Sequence, residues 1–252
     1  MSFQTRKAKI LTLLHERGIL NVSDLSALLN LSGMTIRRDL NALAGQGLLV
    51  RTHGGAMLPN LGDRPVSFAG KSAQHNEIKE QIAQVAAREI QDGDVIFMDC
   101  GSTVFALCPY IRHKPITVIT NSLPVVAELL TSTVTLNLIG GEVDKTRQAV
   151  HGLIAESHIA RYRADKAFIG VDGVSVANGL SAKGEREATH TLALMRQSRQ
   201  VYLLCDSTKL EQDQYLQFAP LSAVNVLVMD LGADRAVLKQ YEEAGLRVVS
   251  EG

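Results

Sequence analysis

The chain has 252 residues, enough to bury a substantial core as one large domain or as a small domain beside a medium one. Its 26 Lys and Arg balance 26 Asp and Glu, so overall charge selects no partner, and the scattered Cys100, Cys108 and Cys205 exclude a disulfide framework. The N-terminus, Met-Ser-Phe-Gln-Thr-Arg-Lys, has no signal-peptide apolar stretch and no later run could cross a bilayer, which predicts a cytoplasmic protein with no membrane partner.

Charge is unevenly distributed. Residues 1–58 carry a net +4, leaving −4 for the rest, so a small basic module is expected to meet a polyanion. Ile10, Leu11, Leu13 and Leu14 put an apolar stripe on a helix from about Gln4 to Arg17, stopped by Gly18. Val22-Ser23 opens a second short helix with Leu25, Leu28 and Leu29 on one face. Leu31-Ser32-Gly33 is a tight connection, and Ser32 is suited to cap a third helix running to about Ala44. Leu48–Arg51 and Ala56–Leu58 then read as two short strands around the His53-Gly54-Gly55 turn.

On the third helix, Ile36, Leu40 and Leu43 fall on one side at 100° per residue, and Met34, Arg38 and Asn41 on the other, flanked by Thr35 and Arg37. That outer face suits a recognition helix: a long charged fork for guanine or phosphate, with short polar groups for base edges. Ser32 at the helix start, and Arg51 and His53 on the hairpin, complete the candidate contacts with double-stranded DNA. A three-helix interaction module with solvated arginines would share this pattern.

Residues 59–74 lose apolar periodicity, with Pro59, Gly62, Pro65 and Gly70 interspersed, and read as a linker. Beyond it, apolar strands alternate with helices. The strands are Val95–Asp99, Ile116–Thr120, Val134–Ile139, Lys166–Val171, Gln200–Cys205 and Val224–Met229. The helices include Ile78–Ile90, Pro124–Leu130, Glu185–Arg196 and Arg235–Ala244. This alternation predicts an α/β domain over 75–252 with a mostly parallel sheet covered on both faces.

Five of these strands end in small, polar or glycine-rich segments: Asp99-Cys100-Gly101-Ser102-Thr103, Thr120-Asn121-Ser122, Gly140-Gly141-Glu142, Gly170-Val171-Asp172-Gly173 and Asp206-Ser207-Thr208-Lys209. Ligands of open parallel sheets lie beyond the carboxyl ends of the strands. Donors for an anion beside Asp, Asn, Glu and Lys for hydroxyls suit a phosphorylated sugar. Each segment alone is weak, since glycine and hydroxyl residues also fill βα turns for conformational reasons. Arg147 and Lys145 could reach an anion or be solvated. The seven histidines show no metal-ligand spacing and are expected at the surface or satisfied, though His151 and His158 could share a helix face. Cys100, beside Asp99, reads as packed and unreactive. No metal and no cofactor are expected.

The stretch Val22-Ser23-Asp24-Leu25 … Thr35-Ile36-Arg37-Arg38-Asp39-Leu40 … Gly47-Leu48-Leu49-Val50-Arg51-Thr52-His53-Gly54-Gly55-Ala56 closely resembles the DeoR family of bacterial transcriptional regulators. The likeness continues through Asp-x-Gly-Ser-Thr, Thr-Asn-Ser, Gly-Gly-Glu, Gly152, Asp165–Gly173, Glu187 and Asp206–Lys209. It implies a winged helix-turn-helix over 1–58 and a sensor domain similar in fold to ribose-5-phosphate isomerase. It also implies a repressor of carbohydrate genes, released from its operator by a phosphorylated sugar and acting as a dimer or tetramer. By the same resemblance Gly101, Ser102 and Thr103 would hold phosphate. Asn121, Asp172, Lys209 and Glu187 would contact the rest of the effector, and Asp99, Ser122, Gly140, Gly141, Gly173 and Asp206 would line the site.

The alternative is a sugar-phosphate isomerase with a regulatory DNA-binding appendage. Such chemistry needs a carboxylate base and an acid. Isomerases of this fold carry a second acid shortly after an Asp-Gly pair, whereas Asp172-Gly173 is followed here by Val174-Ser175-Val176-Ala177. The expectation is therefore a sensor and not an enzyme.

Overall fold

The computed structural model describes residues 3–17, 19–45, 48–51, 54–57, 68 and 76–250. It divides into two compact units, Met1–Val66 and Ser67–Gly252.

The first unit runs α1 (Phe3–Arg17), β1 (Ile19–Asn21), α2 (Val22–Leu29), α3 (Gly33–Gly45), β2 (Val50–Arg51) and β3 (Gly55–Met57). Asn21 starts α2, its side-chain oxygen accepting from the Asp24 N–H at 2.8 Å. Ser32 does the same for α3, accepting from the Thr35 N–H at 3.2 Å. Each bond satisfies a donor that the first helical turn leaves free. Ile10, Leu14, Leu25, Ile36, Leu40 and Leu43 have no exposed surface and form one core under the three helices.

β3 pairs antiparallel with both β2 and β1. The strand Ile19–Asn21 has only three residues, too few for a period to register in sequence. Gly55 is fixed by this pairing: a Cβ there would stand 2.1 Å from the Leu20 carbonyl oxygen.

The second unit is built on seven parallel strands. In chain order these are β4 (Val95–Met98), β5 (Thr117–Thr120), β6 (Thr135–Leu138), β9 (Ala164–Ile169), β12 (Ser198–Leu204), β14 (Val226–Met229) and β15 (Arg247–Ser250). Their spatial order is β15-β14-β12-β9-β4-β5-β6. Six are the strands expected from the apolar runs. The seventh, β15, lies at an edge and is only half-buried, so its sequence carries a weaker pattern.

Apolar runs arise because both faces are covered. Phe97, Val201, Leu203 and Leu227 enter the core on one face, while Ile96, Met98, Tyr202, Leu204 and Val228 enter the other. Truncating a side chain such as Phe97, fully buried, to Ala would cost about 3–5 kcal/mol.

The principal helices are α4 (Asn76–Arg88), α5 (Ser102–Phe105), α6 (Cys108–Ile111), α7 (Leu123–Leu129), α8 (Leu153–Ile159), α9 (Glu185–Arg196) and α10 (Arg235–Glu243). A hairpin of β7 (Glu142–Asp144) and β8 (Ala149–His151), and a small sheet of β10 (Gly173–Ser175), β11 (Gly179–Ala182) and β13 (Leu216–Ala219), stand apart from the main sheet. Within the stretch 59–74 only Phe68 is described. Its N–H donates to the Thr146 carbonyl at 3.1 Å, and its ring meets Phe105 edge-on with centroids 5.3 Å apart.

Candidate functional site

In the second unit the strand order decides which loops meet. β12, β9 and β4 are adjacent, so the segments following them converge at one end of the sheet. The resulting pocket is lined by Asp99–Thr103 after β4, Gly170–Asp172 after β9 and Lys209 after β12, closed by Glu187, Ala188 and Thr191 of α9 and by Arg147. Gly101 starts α5 in extended conformation, and the Ser102 and Thr103 side chains are buried against the pocket.

Its charged groups are held in place. Asp99 accepts from the Cys100 N–H at 2.7 Å and from the Thr191 hydroxyl at 3.1 Å. Arg147, on the turn of the β7–β8 hairpin, forms an ion pair with Glu187. Burial alone would lower the Arg147 pKa, but the charges of Glu187 and Asp172 outweigh it and the guanidinium stays charged. Lys209 lies 3.6 Å from Asp206. Asp206 also accepts from the Thr208 N–H at 3.2 Å, starting the 3-10 turn Ser207–Lys209. Burial, reinforced by Asp99, pushes the Cys100 thiol well above its ordinary range, so it is a poor nucleophile.

Of the expected effector residues, Asp99, Gly101, Ser102, Thr103, Asp172, Glu187 and Lys209 line the pocket. Asn121, Ser122, Gly140, Gly141, Gly173 and Asp206 are not among its lining residues. Thr120-Asn121-Ser122, at the end of β5 one strand further out, is fully buried. Ser122 caps α7 through the Val125 N–H, and the Asn121 amide donates to the Val150 carbonyl at 3.1 Å. Gly141, at φ +149°, leaves no room for a Cβ, which would lie 2.7 Å from the His151 carbonyl. Gly173 is likewise pressed against the Gln212 carbonyl.

Sequence reasoning left Arg147 undecided between ligand and solvent. Only the fold brings the hairpin turn onto α9, and no local spacing announces it. Among the histidines, His158 is satisfied by Gly140 and Tyr162, at 3.2 and 3.1 Å. His151 ends β8 while His158 lies in α8, so they share no helix face. His151 and His190 depart from expectation: both are buried, and neither ring has a hydrogen-bond partner among the described residues.

In the first unit, Ile36, Leu40 and Leu43 of α3 point inward, while Ser32, Met34, Arg37, Arg38 and Asn41 are exposed and Thr35 is half-buried. Met34 is 80% exposed. Arg51 lies in β2, and His53 is outside the described residues. Asp39 turns inward and binds Arg6 of α1.

The profile of the DeoR-like helix-turn-helix domain matches residues 6–60, and that of the DeoR C-terminal sensor domain matches 74–231. The chain belongs to the DeoR family. As a member of that family it is a DNA-binding transcriptional regulator. This DeoR-family chain is 30% identical over 248 residues to the HTH-type transcriptional repressor GlcR of Bacillus subtilis, spanning 98% of this chain and 95% of that one. It is 32% identical over 249 residues to the lactose phosphotransferase system repressor of Streptococcus mutans, spanning 96% and 99%. Among solved structures, ribose 5-phosphate isomerase A of Methanocaldococcus jannaschii aligns with a TM-score of 0.40 and 20% identity, over 54% of this chain and 55% of the other. Among the described residues of the DeoR-family chain no group of three or more His, Cys, Asp or Glu could hold a metal, and no helix is long and apolar enough to cross a membrane.

Proposed function

We propose that this chain represses carbohydrate genes from the cytoplasm and leaves its operator when a phosphorylated sugar occupies the pocket after β4, β9 and β12. The observation that carries the reading is the pocket's mixed chemistry. The buried hydroxyls of Ser102 and Thr103 and the cations Arg147 and Lys209 suit a phosphate, while Asp99, Asp172 and Glu187 accept from sugar hydroxyls. The relative named as the lactose phosphotransferase system repressor favours the same reading.

The DNA contacts proposed are Ser32, Met34, Thr35, Arg37, Arg38 and Asn41 on and before α3, with Arg51 and His53 from the hairpin. Two or more copies would present these helices to half-sites about 34 Å apart or a multiple of it, so a homo-oligomer is part of the proposal. The effector shifts the balance between DNA-competent and incompetent arrangements only by its different affinity for the two.

The pocket is proposed to bind without turnover. Asp99 is engaged by Cys100 and Thr191, and Glu187 by Arg147, which leaves neither placed as a free general base. Fluorescence anisotropy on the DNA upstream of the protein's own gene, titrated with glucose 6-phosphate, fructose 6-phosphate, ribose 5-phosphate and other sugar phosphates, tests both halves. Specific binding weakened by one compound supports the reading. No DNA binding, together with consumption of a sugar phosphate, would replace it with the isomerase alternative.

A further inference from the structure

Beside the pocket lies a cluster of buried polar atoms that the fold leaves without partners. His151 and His190 are each only 2% exposed, and their rings meet edge-on with centroids 5.3 Å apart. Both nitrogens of both rings lack a hydrogen-bond partner among the described residues. Asn121 is fully buried too, and its side-chain oxygen is equally unmatched. Its amide is tied to the carbonyl of Val150, next to His151. Three residues far apart in sequence thus bring five orphaned polar atoms to one neighbourhood.

The neighbourhood borders the pocket from behind its lining residues, without lining it. His190 lies on α9 between Ala188 and Thr191, both of which line the pocket, and His151 closes β8 of the hairpin that supplies Arg147. Asp99, another lining residue, acts electrostatically on both rings.

Burying a hydrogen-bonding group without a partner costs free energy that an aromatic or aliphatic side chain of similar size would not. A polar cluster that breaks this rule beside a ligand pocket marks groups kept for the ligand. What they can bind follows from their chemistry. Burial keeps both imidazoles neutral, His190 with its pKa pulled down to about 4, so they offer no charge to a phosphate, and Asp99 repels an anion. Two neutral rings supply two donors and two acceptors, and Asn121 adds an acceptor. Paired donors and acceptors of this kind match hydroxyl groups, each of which gives and takes one hydrogen bond.

We propose that His151, His190 and Asn121 form the specificity end of the effector site, hydrogen-bonding the hydroxylated, uncharged part of the ligand while Ser102, Thr103 and Lys209 hold its phosphate. This deepens the effector reading above and rests on it. A site built to bond hydroxyls also rejects ligands that lack them, because its own polar groups then stay unpaired.

The test is calorimetric titration of the full-length protein with the sugar phosphates of the panel and, separately, with inorganic phosphate, which carries the anion without the polyol. His190→Phe should weaken the sugar phosphate that binds wild type by about tenfold or more and leave inorganic phosphate within about twofold. His190→Gln, which keeps a donor and an acceptor, should stay within about threefold of wild type for both, and guards against a folding defect in the Phe variant. Equal losses for both ligands in the Phe variant, no loss for either, or a Gln variant as weak as the Phe variant would overturn the proposal. If no compound of the panel binds wild type, the effector reading itself fails and this one falls with it. If wild type binds and the variants are indifferent, only the specificity assignment is lost.

Discussion

The guanidinium of Arg6 grips the carboxylate of Asp39 with two hydrogen bonds, Nε to Oδ2 and Nη2 to Oδ1 at 3.0 Å, across 33 residues of chain. Asp39 sits in the Arg37-Arg38-Asp39 run of α3, yet it is 2% exposed and works inward, bolting α1 to the helix whose other face points out. Asp39→Ala should therefore act through stability. It removes the carboxylate that the Arg6 guanidinium grips, and Arg6→Lys with Asp39 intact should keep only part of the clamp because a point-like ammonium cannot make both bonds. Calorimetric unfolding should show the N-terminal unit melting earlier while the sensor transition stays put. A variant that binds DNA weakly with an unshifted melting profile would mean that Asp39 has some role other than clamping the helices.

Arg38 gives the opposite signature. It is exposed beside Arg37, so Arg38→Ala should leave unfolding unchanged. If it reads a base edge, operator affinity should drop by about 1–3 kcal/mol. A phosphate-only contact would instead weaken all sequences alike and reduce the salt slope by about one. Anisotropy titrations on specific and scrambled DNA at several salt concentrations separate the two.

How much of this could be read in the sequence depended on distance along the chain. The spacing of Ile36, Leu40 and Leu43 placed the inner face of α3, and apolar runs such as Val95–Met98 gave six of seven parallel strands, because both are local consequences of burial. Asp39 stands three residues after Ile36, on the buried side, so its inward role carried a periodic signal. Arg147, His151 and His190 had none. They meet because a hairpin folds against a helix some forty residues later, and no spacing rule spans that gap. Gly141 showed the reverse: its composition suggested a ligand contact, while its geometry ties it to β8.

Lys209 tests the division of labour between the units. It lies on the 3-10 turn after β12, 28% exposed, with Asp206 as its neighbour and the pocket before it. Lys209→Ala removes the charge proposed to meet the phosphate without touching the packed sheet, and Thr103→Val removes a buried hydroxyl at nearly constant volume. Each should weaken the effector by about tenfold or more, the scale of a charge-assisted hydrogen bond, with operator affinity unaltered in its absence. Loss of DNA binding with a normal effector response would contradict the assignment of sensing to this pocket.

The buried histidines also predict how stability depends on pH. An unfolded chain protonates His190 near its ordinary 6.5, whereas burial in the fold pulls the pKa down to about 4, against the opposing charge of Asp99 and with the help of His151. Between these values the unfolded state holds more protons, so stability is full above pH 6.5 and drains away as pH falls toward 4. For this one group the loss by pH 4.5 is about 2–3 kcal/mol, and His151, shifted the same way by burial, adds to it. His190→Phe should flatten the profile by that amount. Urea midpoints of wild type and variant at pH 7.5 and pH 4.5 read the difference directly: a variant whose stability relative to wild type rises by that amount between pH 7.5 and pH 4.5 fits a neutral buried ring. Parallel profiles would mean that His190 takes up its proton in the folded protein as readily as in water.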